Sequence, residues 1–318
     1  MSDLSNPIFT DEAKARAWLE ARIWPNGPIC PKCGSVNNAT LMKGKTTRPG
    51  LYQCNACREP FTVTVNTLYE RSHIPLHKWL AATHLMMASK KGISALQVGR
   101  LLGISKKSSW FLCHRIRESL RGAGLEPMGG EGKIVESDEA YIGGKEKNRH
   151  RIHRAHRGSG TGFDTKEAVV SLVERGGSVR SFHIGTVSAK TLRPVLTEQI
   201  KRDTYIMTDR ASTSDWIKGD FAKHSTVNHT IGEYVRGDIH TNTVEGYFSI
   251  MKRGINGIYH HVSPQHLKRY LAEFDYRYNE REALGVNDAQ RMAKSIPGIV
   301  GKRLTYRRTS EGRSSPKN

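Results

Sequence analysis

The chain has 318 residues, enough to bury a full core and carry appended modules, so two to three domains are expected. Lysine plus arginine number 50 against 30 acidic residues, and a net charge of +20 implies a polyanionic partner, nucleic acid or an anionic membrane surface. No apolar run approaches the ~18 residues that span a bilayer, mean hydropathy is -0.55, and Met1 to Trp24 does not read as a secretory signal. A cytoplasmic protein that meets DNA or RNA is the first expectation.

In chain order, an opening helix is expected from about Asp11 to Ile23, in a segment taken as residues 1–24. Pro25-Asn26-Gly27-Pro28 ends it. Residues 25–68 hold two CxxC knuckles, Cys30-Pro31-Lys32-Cys33 and Cys54-Asn55-Ala56-Cys57, with 20 residues between them. Each knuckle turns two thiolates toward one point, and together they complete a closed tetrahedral site for one structural Zn²⁺, a zinc ribbon. Metal-free buried cysteines leave the paired spacing unexplained, and two CxxC pairs in one basic module argue against a redox role. Phe61 to Val65 alternates and reads as a strand. Cys113, apart from the knuckles, reads as a small buried hydrophobe.

Residues 69–121 are expected to be helical and to bind DNA. Ser94 to Leu102 looks like a short helix stopped by Gly103, with Ser105 capping a second helix from Lys106. Trp110, Phe111 and Ile116 are assigned to its packing side, and Lys106, Lys107, Ser108, Arg115 and Arg117 to its polar, basic side. The pattern fits a helix-turn-helix with its second helix in the major groove; a plain helical hairpin is the alternative. The glycines of residues 122–132 mark a linker.

Residues 133–283 read as mixed α/β, in the order of an RNase H-like domain. A strand within Lys133 to Tyr141 carries Asp138. Strands Ala168 to Val173 and Val179 to Ile184 flank a hairpin at Gly176-Gly177, and a helix runs from about Ser188 to Lys201. A strand from Tyr205 delivers Asp209, and a helix from about Thr243 contains Glu245. Three converging carboxylates suit two Mg²⁺ (or Mn²⁺) ions, which activate a water or 3′-hydroxyl and stabilise the leaving oxygen. Between Asp209 and Glu245 lie 35 residues, and Lys252, seven beyond Glu245, shares its helix face with Ser249. Val244, Tyr247, Phe248 and Met251 form the adjoining apolar stripe. Glu136 shares the strand face of Asp138 and is a substitute or supporting ligand; Asp215 reads as a surface or capping acid. Lys252 holds a DNA phosphate or is a surface residue.

Lys145 to Arg157 carries six lysines or arginines and three histidines. Within it Lys145, Lys147, Arg149 and Arg151 are candidates for the DNA backbone, with a solvated loop as the alternative. His150, His153 and His156 lack other ligands for a metal. Ser263-Pro264 opens a scaffold helix with Leu267, Tyr270, Leu271, Phe274 and Tyr278 in its core stripe, and Lys268, Arg269 and Arg277 on other faces. Residues 284–318 read as a basic, partly disordered tail.

Trp24-Pro25 through Cys33-Gly34, Lys91-Gly92-Ile93-Ser94, Asp138 through Lys145, His240 through Glu245 and Phe274 through Asn279 resemble the ISXO2-like bacterial insertion-sequence transposases, a likeness running from about Trp24 to Arg281. The resemblance implies an RNase H-like catalytic domain, Mg²⁺ dependence and action on the terminal inverted repeats of a mobile element. It points to Asp138 and Asp209 as the aspartates, Glu245 as third carboxylate and Lys252 as basic follower. Ala140 departs from the family, which often has a hydroxyl residue there, and Asn242 is a rival for the third position. The expected function is cleavage at element ends, then attack of the freed 3′-hydroxyl on double-stranded target DNA. It takes place near the bacterial nucleoid, in a homodimer or larger assembly. A zinc-ribbon regulator, or an RNase H-type nuclease that cuts without joining, are the alternatives.

Overall fold

A computed structural model describes residues 4–122, 125–144, 166–209, 217, 219–228 and 231–305. They divide into two units, one of Met1–Ser89, Ile93–Arg121 and Gly285–Asn318, the other of Lys90–Gly92 and Gly122–Leu284.

In the first unit, Asp11 caps α1 (Glu12–Ile23) by accepting from the Lys14 N–H at 3.0 Å. Strands β1 (Ala39–Leu41), β2 (Tyr52–Cys54) and β3 (Pro60–Phe61) make an antiparallel sheet. Trp24 packs edge-on against Tyr52 and Phe61, a small aromatic core. The strand expected through Val65 stops at Phe61. Val65 N–H bonds back to the Thr62 carbonyl at 3.0 Å and Asn66 takes φ +58°, so a turn replaces the extended run.

Helix α2 (Leu76–Ala88) is buried on most sides and has no side-chain cap from its own N-cap residue, Pro75. The Glu12 carboxylate of α1 fills that role, accepting from Leu76 N at 3.0 Å and His77 N at 3.2 Å. Helix α3 (Ala95–Leu102) ends at Gly103, left-handed at φ +61°, and Ser105 caps α4 (Lys106–Ser119) through Ser108 N. The inward stripe of α4 is Ser109, Leu112, Cys113 and Ile116. Trp110, expected on that side, lies one residue round, is 37% exposed and packs at a tilt against the His114 ring. Arg117, expected on the basic face, is buried.

The second unit is built on β4 (Ile134–Ile142), β5 (Glu167–Glu174), β6 (Val179–Ile184), α5 (Ala189–Gln199), β7 (Tyr205–Asp209), β8 (Lys223–Val227), the ribbon β9 (Val235–Arg236) and β10 (Ile239–His240), α6 (Asn242–Gly254) and α7 (Pro264–Asn279). Its five-stranded mixed sheet runs β6-β5-β4-β7-β8, antiparallel from β4 outward to β6 and parallel from β4 outward to β8. Period-two alternation sorts the core. Ala140, Ile142, Val169 and Val173 pack with α6 and α7 on one face, while Val135, Val170 and Leu172 pack with α5 on the other.

Part of the expected linker is tied to the segment between α5 and β7: Met128 exchanges backbone bonds with Gln199 and Lys201, and Gly130 N–H donates to Thr204 Oγ1 at 2.9 Å. Gly92 (φ +103°) and Gly254 bring the 90–92 segment onto the end of α6. A Cβ on Gly92 would lie 2.0 Å from the Tyr259 hydroxyl oxygen, and one on Gly254 2.5 Å from the Lys91 carbonyl.

Helix α7 seals the edge strand. Asn279 accepts from Val179 N at 2.6 Å and donates to Val179 O at 3.0 Å, imitating a neighbouring strand. One turn earlier, buried Asp275 accepts from Ser181 N (2.8 Å), Ser181 Oγ (2.7 Å) and the Tyr247 hydroxyl (2.5 Å). Arg277, placed on an outer face by its charge, is buried and paired with Glu273, itself held by the Tyr259 hydroxyl. Helix α8 (Asp288–Ser295) lies in the first unit, where Arg291 donates to the Met87 carbonyl and Lys302 binds the carbonyls of Glu118, Ser119 and Arg121. No helix among the described residues is long and apolar enough to cross a membrane.

Asn279→Ala leaves both backbone groups of Val179 without their partner, so the unfolding transition of the second unit should weaken by about 1–3 kcal/mol. Urea unfolding measures this; an unchanged midpoint would show that the edge needs no such seal.

Candidate active site and metal centre

Strand β4 is central, and its even-numbered side chains share one face. Glu136, Asp138, Ala140 and Ile142 therefore look toward α6 and α7. Ser137 pairs with Thr208 across the parallel β4–β7 register, so Asp138 and Asp209 occupy the next adjacent positions, on strands about 4.8 Å apart. Helix α6 lays Val244, Tyr247, Phe248 and Met251 on the sheet, the stripe its periodicity announced. That seating places Glu245, in the first turn, beside Asp138, and one cleft of about 720 Å³ is lined by Asp138, Glu245, Ser249, Lys252, Arg253 and Asn256.

Electrostatics bind the three carboxylates into one group. Burial pushes Asp138 up to about 7; the Glu139 N–H opposes this, while the charges of Glu139, Asp209 and Glu245 add to the rise. Glu245 also accepts from the Thr241 hydroxyl at 3.3 Å. Carboxylates brought together from two strands and a helix are a donor set suited to hard divalent cations. They are less tightly gathered than the thiols, for among the described residues only the four cysteines bring ligand atoms within 4.8 Å of one another.

Other assignments fall out differently. Glu136 is fully buried, and both its oxygens are occupied. Oε1 accepts from Arg175 Nε (2.6 Å) and Thr243 Oγ1 (2.9 Å), and Oε2 from Thr243 N (2.8 Å) and Val244 N (3.0 Å). Four donors saturate a carboxylate, which leaves no free position for a metal and corrects the reading of Glu136 as substitute ligand. Asn242 is exposed and is the first residue of α6, so it is not the helix cap; Thr241 is. Arg253 and Asn256 were missed. Asn256 lies four residues past Lys252, a helical spacing that could have found it.

The four cysteines meet as their spacing requires. Cys30 Sγ lies 3.6 Å from Cys57 Sγ and Cys33 Sγ 3.6 Å from Cys54 Sγ, close to the edge of a tetrahedron with Zn–S bonds of about 2.3 Å. The group could hold a structural zinc. Gly34 (φ +73°) and Arg58 (φ +65°) close the two knuckles in the same left-handed turn. The Cys57 and Ala56 N–H groups and neighbouring thiols bring Cys54 down to about 6 against the effect of burial. At Cys57 the Glu59 N–H acts downward, but burial and the adjacent thiols push it up to about 12.

On α4, Lys106 and Lys107 are exposed and Ser108 is half-buried. Arg115 is tied down instead: its guanidinium donates to the carbonyls of Glu70 (3.2 Å) and Leu304 (3.3 Å) and lies over the Phe111 ring. Lys145, Lys147, Arg149 and Arg151, the whole Lys145 to Arg157 run with its histidines, and Asp215 lie outside the described residues.

Two outcomes follow from these charges. Cys54→Ser should lose the one zinc per chain measured by elemental analysis; wild-type protein purified without chelator and free of zinc would refute the site. Because the Asp138 carboxyl titrates higher folded than unfolded, ionising it costs stability as pH rises from about 4 to about 7. Asp138→Asn should therefore raise the melting temperature by a few degrees at pH 8 without divalent metal, and weaken the stabilisation by added Mg²⁺; a lower temperature in metal-free buffer would contradict the crowding.

Comparison with known proteins agrees along most of the chain. Residues 129–279 match the ISXO2-like transposase domain and residues 10–59 the transposase zinc-ribbon domain. A Halobacterium salinarum protein described as an uncharacterized protein in transposable element ISH50 is 29% identical over 279 residues, 85% of this chain and 91% of that protein. An uncharacterized transposase-like protein of Haemophilus influenzae is 23% identical over 99 residues, 31% of this chain and 79% of that protein. The ribbon and the carboxylate-bearing domain are thus both matched in one chain, which carries an ISXO2-like transposase domain behind a transposase zinc-ribbon domain.

Proposed function

We propose that the protein cleaves DNA at the terminal inverted repeats of its mobile element and joins the freed 3′-hydroxyl ends to target DNA, with Asp138, Asp209 and Glu245 as a metal-binding triad. The observation that carries this reading is the meeting of Asp138 and Glu245 in one cleft that Lys252, Arg253 and Asn256 also line, beside Asp209 on the adjacent strand. The sheet order, with β4 antiparallel to β5 and parallel to β7, supports an RNase H-like catalytic domain.

When bound, two Mg²⁺ or Mn²⁺ ions would supply activation of the attacking hydroxyl and charge stabilisation at the leaving oxygen. The chain's own residues do the positioning. Asp138 and Asp209 present charge from rigid strands, and Glu245 approaches from the helix above. Lys252 and Arg253, in the last turn of α6, bring positive charge to the same cleft and hold phosphates flanking the scissile bond. The zinc ribbon and the α3–α4 helix-turn-helix recognise the element ends, with Lys106, Lys107 and Ser108 in the major groove, and the Lys145 to Arg157 run follows the DNA backbone. Two ends must be held at once, so the working species is a dimer or larger, acting on DNA in the bacterial cytoplasm.

Pre-cut ends with Mg²⁺ and target DNA test the assignment. Glu245→Gln should abolish joining, while Asn242→Ala, an exposed position outside the cleft wall, should stay within about two-fold of wild type. The reverse pattern would move the third ligand to Asn242. Hydrolysis without joining by the wild-type protein would leave a nuclease.

A further inference from the structure

Glu136 is a charged group that the chemistry above does not use, yet it is fully buried, two residues before Asp138 on the same strand face. A buried carboxylate is costly unless paired and hydrogen-bonded. Here its bonds go to the start of one helix. Thr241, the N-cap residue of α6, makes no side-chain cap bond to the helix, and the orphan N–H groups of Thr243 and Val244 point instead to Glu136 Oε2. The Thr243 hydroxyl adds a third bond to Oε1. The cap thus comes from 107 residues earlier in the chain, and a carboxylate at a helix N-terminus is favourable to the helix dipole.

Arg175, beside the β5–β6 turn, completes the arrangement. Its Nε donates to Glu136 Oε1 at 2.6 Å, while Nη1 donates to the Asp238 carbonyl (2.9 Å) and Nη2 to the His240 carbonyl (3.1 Å) and His240 Nδ1 (2.9 Å). Its own backbone N–H donates to the Ile134 carbonyl at 3.0 Å. One guanidinium therefore fixes the segment entering α6, and one carboxylate fixes the helix's first turn, both referred to strand β4.

We propose that Glu136, clamped by Arg175, is a positioning residue that sets Glu245 against Asp138 and so determines the site's affinity for divalent metal. The geometry is short-ranged: Glu245 is the residue after Val244 and Asp138 the second after Glu136. Losing the clamp frees the helix start to move relative to the strand by more than metal coordination tolerates. The proposal rests on the reading of Glu245 as a metal ligand.

The test titrates full-length protein with Mn²⁺, followed by electron paramagnetic resonance, alongside circular dichroism and zinc content. Wild type should bind Mn²⁺ and Glu245→Gln should lose most of that binding. Glu136→Gln should weaken Mn²⁺ affinity at least ten-fold while zinc content and helical signal stay unchanged. Thr243→Val, which removes one bond and keeps the backbone cap, should weaken it about two- to five-fold, and Thr243→Ser should restore it. Should Glu136→Gln not fold, the Thr243 pair decides alone. Mn²⁺ affinity within two-fold of wild type in folded Glu136→Gln, or in Thr243→Val where that variant decides, overturns the positioning role while leaving Glu245 as ligand. Unchanged binding in Glu245→Gln overturns the ligand assignment and the proposal together.

Discussion

Like charge held at close quarters is the constraint on which the second unit depends. Burial is the main cost of charge at Asp138, and the carboxylates of Glu139, Asp209 and Glu245 add to it. The Glu139 N–H on Asp138 and the Thr241 hydroxyl on Glu245 are local and offset only part of that. The rest of the offset comes from rigid placement: a paired central strand, its parallel neighbour, and a helix seated by Val244, Tyr247, Phe248 and Met251. The apolar stripe supplies the burial, and the polar anchors supply the register.

Those anchors recur in a common form. In both units a buried or half-buried carboxylate from a distant element caps a helix that lacks a side-chain cap of its own, Glu12 for α2 and Glu136 for α6. A second pair of side chains, Asp275 and Asn279, docks α7 on the edge strand through its backbone. Each uses a polar group where an apolar one would pack as well but slide. Directional bonds at 2.6–3.2 Å fix a helix along its axis, which apolar packing does less sharply.

Much of this order was legible in the sequence where the signal was local. The CxxC spacing places four thiols together, the Gly176-Gly177 turn marks the hairpin of β5 and β6, and the 244/247/248/251 period gives the seated face of α6. The cleft residues Asp138, Glu245 and Lys252 were singled out and do line one wall. What escaped depends on distant partners. Charge suggested an outer face for Arg277 and a groove-facing role for Arg115, yet Glu273 buries the first and the carbonyls of Glu70 and Leu304 hold the second. Caps are usually local, and one supplied by Glu136 from 107 residues before Thr243 leaves no sequence signature. The segment after Leu284 read as a tail because its helix is short and polar outside; α8 earns its place through Arg291 and Met292 buried in the first unit.

The central claim, that three carboxylates from two strands and one helix form a divalent-metal site, is tested most directly by anomalous scattering from crystals of the protein soaked in Mn²⁺. Peaks should lie within coordination distance of Asp138 together with Asp209 and Glu245, with none at Glu136 or Asn242. A peak ligated by Asn242, or no peak beside Asp138 at saturating Mn²⁺, would contradict the account.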